Sequence, residues 1–240
     1  MDALGLRKAP ATSDPPVASA PDLLHALGRL VRGLSALFWG LPLALVVSLQ
    51  TATGNWFHSL GVLPPLLPTV LLFYGLVQLG HFQKGERVWQ RALDRTKIFA
   101  LVNVGLAPFL YWWSQLPLHP FYQTTVLLMA LSGLFFLFTL NPVLRRLAAM
   151  LPDETLRQET RAFTTLNRLL LFTTFLALTS YQGLAQFQIL PGPLSPLQFL
   201  KERAGLWLIL FLVLMPLAMT MALLWKIKEV ILASVFGNDQ

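Results

Sequence analysis

The sequence predicts an all-α fold: a polytopic integral membrane bundle of six transmembrane helices with both termini in the cytoplasm. Its composition is the first sign, because 55% of the 240 residues are hydrophobic and only 12% are charged, about half the charged share of soluble domains. Six apolar runs are the second sign, each close to the roughly 20 residues that a spanning helix needs. The third is that sixteen of the eighteen Lys and Arg residues fall in alternate gaps between those runs.

The six apolar runs predict the spans and a single membrane domain. Six such runs in one small chain leave too little polar surface for a soluble protein, so residues 22–240 are predicted to form one transmembrane domain. Residues 1–21 are rich in Pro and Ala with few bulky apolar residues, which is typical of a disordered tail. The predicted spans cover about 34–51, 64–80, 98–116, 121–140, 169–187 and 204–225.

The basic residues orient the predicted spans. Loops rich in Lys and Arg face the cytoplasm, and the first and third gaps contain neither. The fifth gap holds only Lys201 and Arg203, beside Glu202. The predicted location is a plasma membrane or a bacterial inner membrane, where anionic lipid headgroups are the expected partners of the basic side. The basic positions are Arg7, Lys8, Arg29 and Arg32 before the first run; Lys84, Arg87, Arg91, Arg95 and Lys97 in the second gap; Arg145, Arg146, Arg157, Arg161 and Arg168 in the fourth; and Lys226 and Lys228 after the last.

Three cytoplasmic segments are predicted to form short amphipathic helices at the membrane interface. The first begins near Asp22, a residue suited to a helix N-cap, and gathers leucines on one face. In the second gap the apolar residues around Trp89 oppose the basic ones, as in a helix lying in the interface plane. The third covers about 154–167. These helices either only join the spans or also dock a partner or anionic lipid. The candidate docking residues are Lys84, Arg87, Arg91, Arg145 and Arg146.

Small residues recur at every fourth position of the first span. They are Ala36, Gly40, Ala44 and Ser48, which on a helix form a ridge without bulk. Such a ridge allows another helix to approach closely. Two interpretations stay open: packing within the bundle, and an interface with another subunit.

The spans contain prolines but no Asp, Glu, Lys or Arg well inside them. That absence disfavours ion-coupled transport, because proton and ion pathways place ionisable groups at membrane depth. Pro42, Pro108 and Pro216 each leave a carbonyl without its helical donor, about one turn earlier. The kinks either only shape the bundle or line a polar pocket near Asn103. The candidate pocket residues are Asn103, Pro108, Gln78, Thr173, Thr174 and Ser180.

The sequence disfavours several kinds of chemistry. Without cysteine there is no disulfide or thiolate metal site. The four histidines lack a nearby acid or thiol to complete a metal site, so no metal or cofactor is predicted. No nucleophile, base and acid pattern and no phosphate-binding glycine loop is recognisable. Nucleic acid is not an expected partner, because the basic residues flank apolar runs.

Two functions follow from these observations, and an intramembrane enzyme is the least favoured. The first is a non-catalytic accessory or scaffold subunit, whose basic cytoplasmic face docks another protein or anionic lipid. The alternative is an uncoupled carrier or channel for a neutral or lipid-like solute, which would pass between proline-kinked helices.

Overall fold

A computed structural model describes residues 20–54, 58–82, 85–151, 154–186 and 205–236. Within these ranges the chain forms six α-helices and no strand, and a short 3₁₀ turn at His58–Leu60 precedes the second helix. The helices are α1 (Ala20–Thr53), α2 (Leu63–Gly80), α3 (Arg87–Gln115), α4 (Pro120–Met150), α5 (Glu154–Gln186) and α6 (Gly205–Phe236). The predicted tail, 1–21, lies outside the described residues except for its last two, which begin α1.

Five of the six helices are long and apolar enough to cross a membrane: α1, α2, α4, α5 and α6. The outer surfaces of the bundle agree, because large apolar side chains such as Trp39, Leu67 and Phe211 are more than 60% exposed. A soluble monomer rarely exposes extended apolar surface of this kind, whereas lipid solvates it. This is the architecture of a multi-pass membrane protein. In α3, Asn103 and the Tyr111–Trp113 cluster lower the mean hydropathy of the apolar half.

Most helices are longer than the predicted spans. Where the sequence predicted a short interfacial helix followed or preceded by a span, the structure has one continuous helix in α1, α3 and α5. The α4 helix likewise continues past its predicted span to Met150. The reason is that Arg, Lys, Glu and Leu all favour helix, so backbone hydrogen bonding continues where hydropathy falls. At 1.5 Å per residue, the 33 residues of α5 extend about 50 Å, against roughly 30 Å for a hydrocarbon core.

The charged extensions of these helices meet at one end of the bundle, called the basic end below. Arg146 of α4 lies 3.5 Å from Glu86, the residue before α3. Lys226 of α6 pairs with Glu159 of α5. The basic end therefore comprises the N-terminal parts of α3 and α5 and the C-terminal parts of α4 and α6.

Leucine-rich seams hold the six helices together. Each helix packs on the next in sequence from α1 to α4, and α5 packs on α4 and α6. Contacts between α6 and α1 complete a closed bundle. At this contact the aromatic ring centroids of Phe38 and Trp225 lie 5.6 Å apart. The fully buried side chains include Leu34, Leu76 and Leu140.

The α1 and α2 helices approach each other closely at a pair of glycines. A Cβ atom placed on Gly33 would lie 2.8 Å from the Gly75 carbonyl oxygen, and one placed on Gly75 would lie 3.0 Å from the Gly33 oxygen. A Cβ atom placed on Gly40 of the predicted ridge would lie 2.8 Å from the Cδ2 atom of Leu72 in α2. The small residues of α1 therefore pack within the bundle at this point.

Candidate functional site

A stripe of polar residues lies buried along α5. Thr160, Thr164, Asn167 and Thr174 are all nearly inaccessible, with exposed fractions of 2% or less. Their spacing of four, three and seven residues keeps them on one helix face. That face points towards α4 and α6, so α5 carries its polar groups into the bundle.

Asn167 is the centre of a hydrogen-bonded layer that joins three helices. Its Nδ2 donates to Asn141 Oδ1 of α4 at 3.1 Å and to Thr220 Oγ1 of α6 at 2.9 Å. Asn141 Nδ2 donates to the Leu137 carbonyl at 3.0 Å, and Thr220 Oγ1 donates to the Pro216 carbonyl at 2.8 Å. We call Asn141, Asn167 and Thr220 the polar layer.

A carbonyl exposed by a proline kink finds its donor next to this layer. Pro216 leaves the Leu212 carbonyl without a helical N–H, and the Thr174 hydroxyl lies 2.8 Å from that oxygen. The same hydroxyl is 2.7 Å from the Leu170 carbonyl, so the two oxygens share one hydrogen. Thr174 therefore stabilises the kink of α6.

Several atoms on the α5 stripe have no hydrogen-bond partner in the described part of the chain. They are Asn167 Oδ1 and the hydroxyl oxygens of Thr160 and Thr164. Burying such a group without a partner costs about 1–3 kcal/mol. The α5 stripe therefore carries more buried polar atoms than its hydrogen bonds to the described helices use.

A separate cavity of about 370 Å³ is lined by residues of all six described helices and is almost entirely apolar. Asn103 contributes to its wall, and the Asn103 Oδ1 atom is buried without a hydrogen-bond partner among the described residues. Ser48 and Thr69 are the other polar wall residues among those described, and the Thr69 hydroxyl donates to the Leu66 carbonyl at 2.8 Å. We call this the Asn103 cavity.

The structure does not bring the six predicted pocket residues together. Only Asn103 lines the cavity, although all six lie in described helices. Thr174 reaches the Leu212 carbonyl instead, Thr173 and Ser180 are exposed, and Gln78 lies beside Gly33. Pro108 is half-buried in α3. Of the predicted ridge, Ala44 and Ser48 line the cavity and Ala36 is half-buried.

An arginine cleft of about 340 Å³ opens at the basic end between α4 and α5. Its wall includes Arg145 and Arg146, two of the predicted docking residues. Arg87 and Arg91 are instead exposed on α3, and Lys84 lies outside the described residues. The residues of the arginine cleft are Pro142, Arg145, Arg146, Ala149, Arg157, Arg161 and Arg168.

Three of these arginines, Arg157, Arg161 and Arg168, had no place in the predicted docking face. Their spacing of four and seven residues puts them on one side of α5, next to the buried polar stripe. That spacing is the sequence signal for them, and it is meaningful only once 154–167 and the fifth span form one continuous helix.

The charges of the arginine cleft are only partly balanced. Arg146 pairs with Glu86 and Arg157 pairs with Glu154, each at 3.5 Å. The Arg157 Nη2 atom also donates to the Ala149 carbonyl at 3.4 Å. Arg145, Arg161 and Arg168 make no ion pair with any acid in the described ranges. The cleft therefore carries excess positive charge and favours an anion.

Comparisons with protein-family models, with curated proteins and with solved structures gave no match to this chain.

Proposed function

We propose that the chain crosses the membrane six times, with both termini and the basic end in the cytoplasm. The apolar half of α3 is the span that brings the five helices named above to six, since residues 98–115 contain no charged residue. The positive-inside rule assigns the basic end to the cytoplasm of a plasma membrane or a bacterial inner membrane. The helix extensions at this end then lie in and beyond the headgroup layer.

The protein is a non-catalytic accessory or scaffold subunit that docks an acidic partner or anionic lipid at this basic face. The arginine cleft carries this proposal, because it gathers five guanidinium groups around one opening while two carboxylates pair with them. Guanidinium groups bind carboxylates and phosphates through paired, directional hydrogen bonds. A site of this kind fits recognition of an anionic surface.

Purification of the tagged full-length protein in a mild detergent tests the scaffold function. We expect another protein to co-purify in a fixed ratio and to be lost when Arg145 and Arg161 are changed to Gln. Arg29→Gln with Arg32→Gln is the matched control, because it removes the same charge from exposed positions on α1, outside the arginine cleft and the candidate docking residues. A solitary monomer in native mass spectrometry, with no partner at any ionic strength, would contradict the scaffold function.

The Asn103 cavity favours a second candidate function, an uncoupled carrier for a neutral or lipid-like solute. An apolar cavity of about 370 Å³ with one amide in its wall has the character of a small-ligand site. If it is a pathway, Asn103→Leu abolishes movement of a fluorescent phospholipid or glycerol across proteoliposome membranes. Gln78→Leu is the control, since Gln78 does not line the cavity. Unchanged flux in Asn103→Leu would rule the pathway out.

A further inference from the structure

The groove between α4 and α5 continues beyond the arginine cleft. Next to the cleft, the same two helices form an apolar hollow of about 180 Å³. Its walls are aromatic and aliphatic, with almost no polar surface. We call it the phenylalanine groove, and its residues are Leu134, Phe135, Phe138, Leu171, Phe172 and Phe175.

Arg168 joins the two parts of the groove. It belongs to the arginine cleft, and its Cζ atom lies 5.7 Å from the ring centroid of Phe138 in the phenylalanine groove. A guanidinium over an aromatic face is an attractive arrangement. Its Nε atom is buried and has no partner in the described chain. Arg168 therefore places positive charge of the arginine cleft directly against the wall of the phenylalanine groove.

The groove matches one leaflet in length. From Leu134 to Ala149 on α4 there are fifteen residue steps, or about 22 Å along a helix. Half of a bilayer, including its headgroup region, is roughly 20 Å. The basic part sits at the end of the bundle and the apolar part reaches towards its middle, which is the polarity of a lipid molecule.

The apolar part is open to the surroundings of the bundle. Phe172 is 62% exposed, and Phe135 and Phe138 are about 40% exposed. These rings form part of the outer surface of the bundle, where Phe135 also packs on Phe99 and Phe175. An acyl chain can lie against this surface without any helix moving.

We propose that the α4–α5 groove binds one anionic phospholipid of the cytoplasmic leaflet, with its phosphate in the arginine cleft and an acyl chain along the phenylalanine groove. The inference rests on the proposed function in placing the basic end at the cytoplasmic headgroup layer. Arg145, Arg161 and Arg168, which lack an acid partner among the described residues, supply the charge for the phosphate. A free anion would use the cleft and leave the phenylalanine groove unused.

Native mass spectrometry of the full-length protein in detergent tests the proposal. The probes are dioleoyl phosphatidylglycerol, dioleoyl phosphatidylcholine with the same chains, and inorganic phosphate. We expect one phosphatidylglycerol per chain, bound about tenfold or more tightly than phosphatidylcholine, a difference of about 1.4 kcal/mol or more. We also expect no displacement by inorganic phosphate at millimolar concentration.

Two pairs of variants locate the lipid. Changing Arg145, Arg161 and Arg168 to Gln is expected to lower phosphatidylglycerol binding about tenfold or more, while Gln at Arg87, Arg91 and Arg95 of α3 leaves it within about twofold. Phe172→Ala is expected to weaken binding and Phe211→Ala is not, although both rings are 62% exposed. Arg161→Gln alone, at an exposed position, repeats the charge test with the smallest risk to folding.

Several outcomes would overturn the inference. Equal binding of the two phospholipids, or equal loss from the cleft and α3 triple variants, would show that no specific headgroup site exists. Displacement by inorganic phosphate would assign the cleft to a free anion. If lipid binding fails while a partner protein still co-purifies, the lipid site is disproved and the scaffold function stands. If phosphatidylglycerol binds as expected and no partner protein co-purifies, the lipid site stands and docking of a protein partner is disproved.

Discussion

Asn167 shows how one side chain can organise three helices. A carboxamide nitrogen has two hydrogens, and both are used here across helix boundaries, towards Asn141 and Thr220. Interhelical hydrogen bonds inside membranes contribute about 0.6 kcal/mol on average and up to about 1.7 kcal/mol. The polar layer is therefore a modest source of stability, and its stronger effect is on which faces of α4, α5 and α6 meet.

Replacing Asn167 with Leu should destabilise the detergent-solubilised protein by about 1–2 kcal/mol, because two interhelical bonds are lost. Reversible unfolding in denaturing detergent measures the change. Thr165→Val is the control, since the Thr165 hydroxyl is exposed and bonds only to its own helix at Arg161.

Coupling within the polar layer gives a sharper test than the single variant. The double variant Asn141→Leu with Asn167→Leu should cost less than the sum of the two single costs, because both remove the same bond. Strict additivity would show that the Asn141–Asn167 contact does not form.

Sequence reasoning could find Asn103 but not the polar layer. Asn103 stands alone in an apolar run, where any polar residue is conspicuous. Asn141, Asn167 and Thr220 lie near the ends of predicted runs, on three different helices. Their role is recognisable only from the hydrogen bonds that they make with one another. The pocket expected around Asn103 shared this weakness, because hydropathy does not reveal which faces of two helices meet.

The helices themselves were largely predictable, and their continuity was not. The α2 helix nearly coincides with its predicted span, because Pro64 and Gly80 mark its ends in the sequence. For α1 and α5 the hydropathy falls at residues such as Arg32 and Arg157 while the helix continues. The all-helical architecture with membrane-spanning helices was therefore readable from composition and run length, whereas the arginine cleft depended on helix extensions that hydropathy does not detect.

Substitution of Gly33 tests the close packing of α1 on α2. Gly33→Ala places a methyl group 2.8 Å from the Gly75 carbonyl oxygen, a backbone atom that cannot turn aside. We expect a loss of about 1–3 kcal/mol from overpacking, measured as a lower midpoint of thermal unfolding in detergent.

Gly28 offers the matched control on the same helix. A Cβ atom at Gly28 meets nothing within 4 Å, so Gly28→Ala should be neutral or stabilising by up to about 1 kcal/mol through helix propensity. Equal effects of the two alanines would mean that α1 and α2 do not approach closely at Gly33.

At the scale of the whole molecule, the charged side chains of the described residues lie at one end of the bundle and its sides are apolar. The polar layer and Thr174 supply hydrogen bonds within the bundle without introducing a net charge there. Such a charge distribution favours one orientation in a membrane, with the basic end as the most polar face of the described helices.

Single cysteines test the orientation directly, because the chain has no native cysteine to give background. Gly85 is exposed between α2 and α3, and Leu118 is 90% exposed between α3 and α4. A membrane-impermeant maleimide should label Leu118→Cys in intact cells and Gly85→Cys only after lysis. The reverse labelling pattern would show that the basic end faces the outside of the cell. Labelling of both cysteines in intact cells would show that α3 does not cross the membrane.

The bonds between α5 and α6 also bear on how the chain is made. The α6 helix is synthesised after α5, so until it is made the Asn167 amide has no Thr220 oxygen to bind and Glu159 has no Lys226. Thr174 likewise waits for the Leu212 carbonyl. A nascent chain that stops before α6 would hold unsatisfied polar groups in lipid, which is the kind of defect that membrane quality control detects. The insertion of α6 therefore completes the hydrogen bonds that α5 directs towards it.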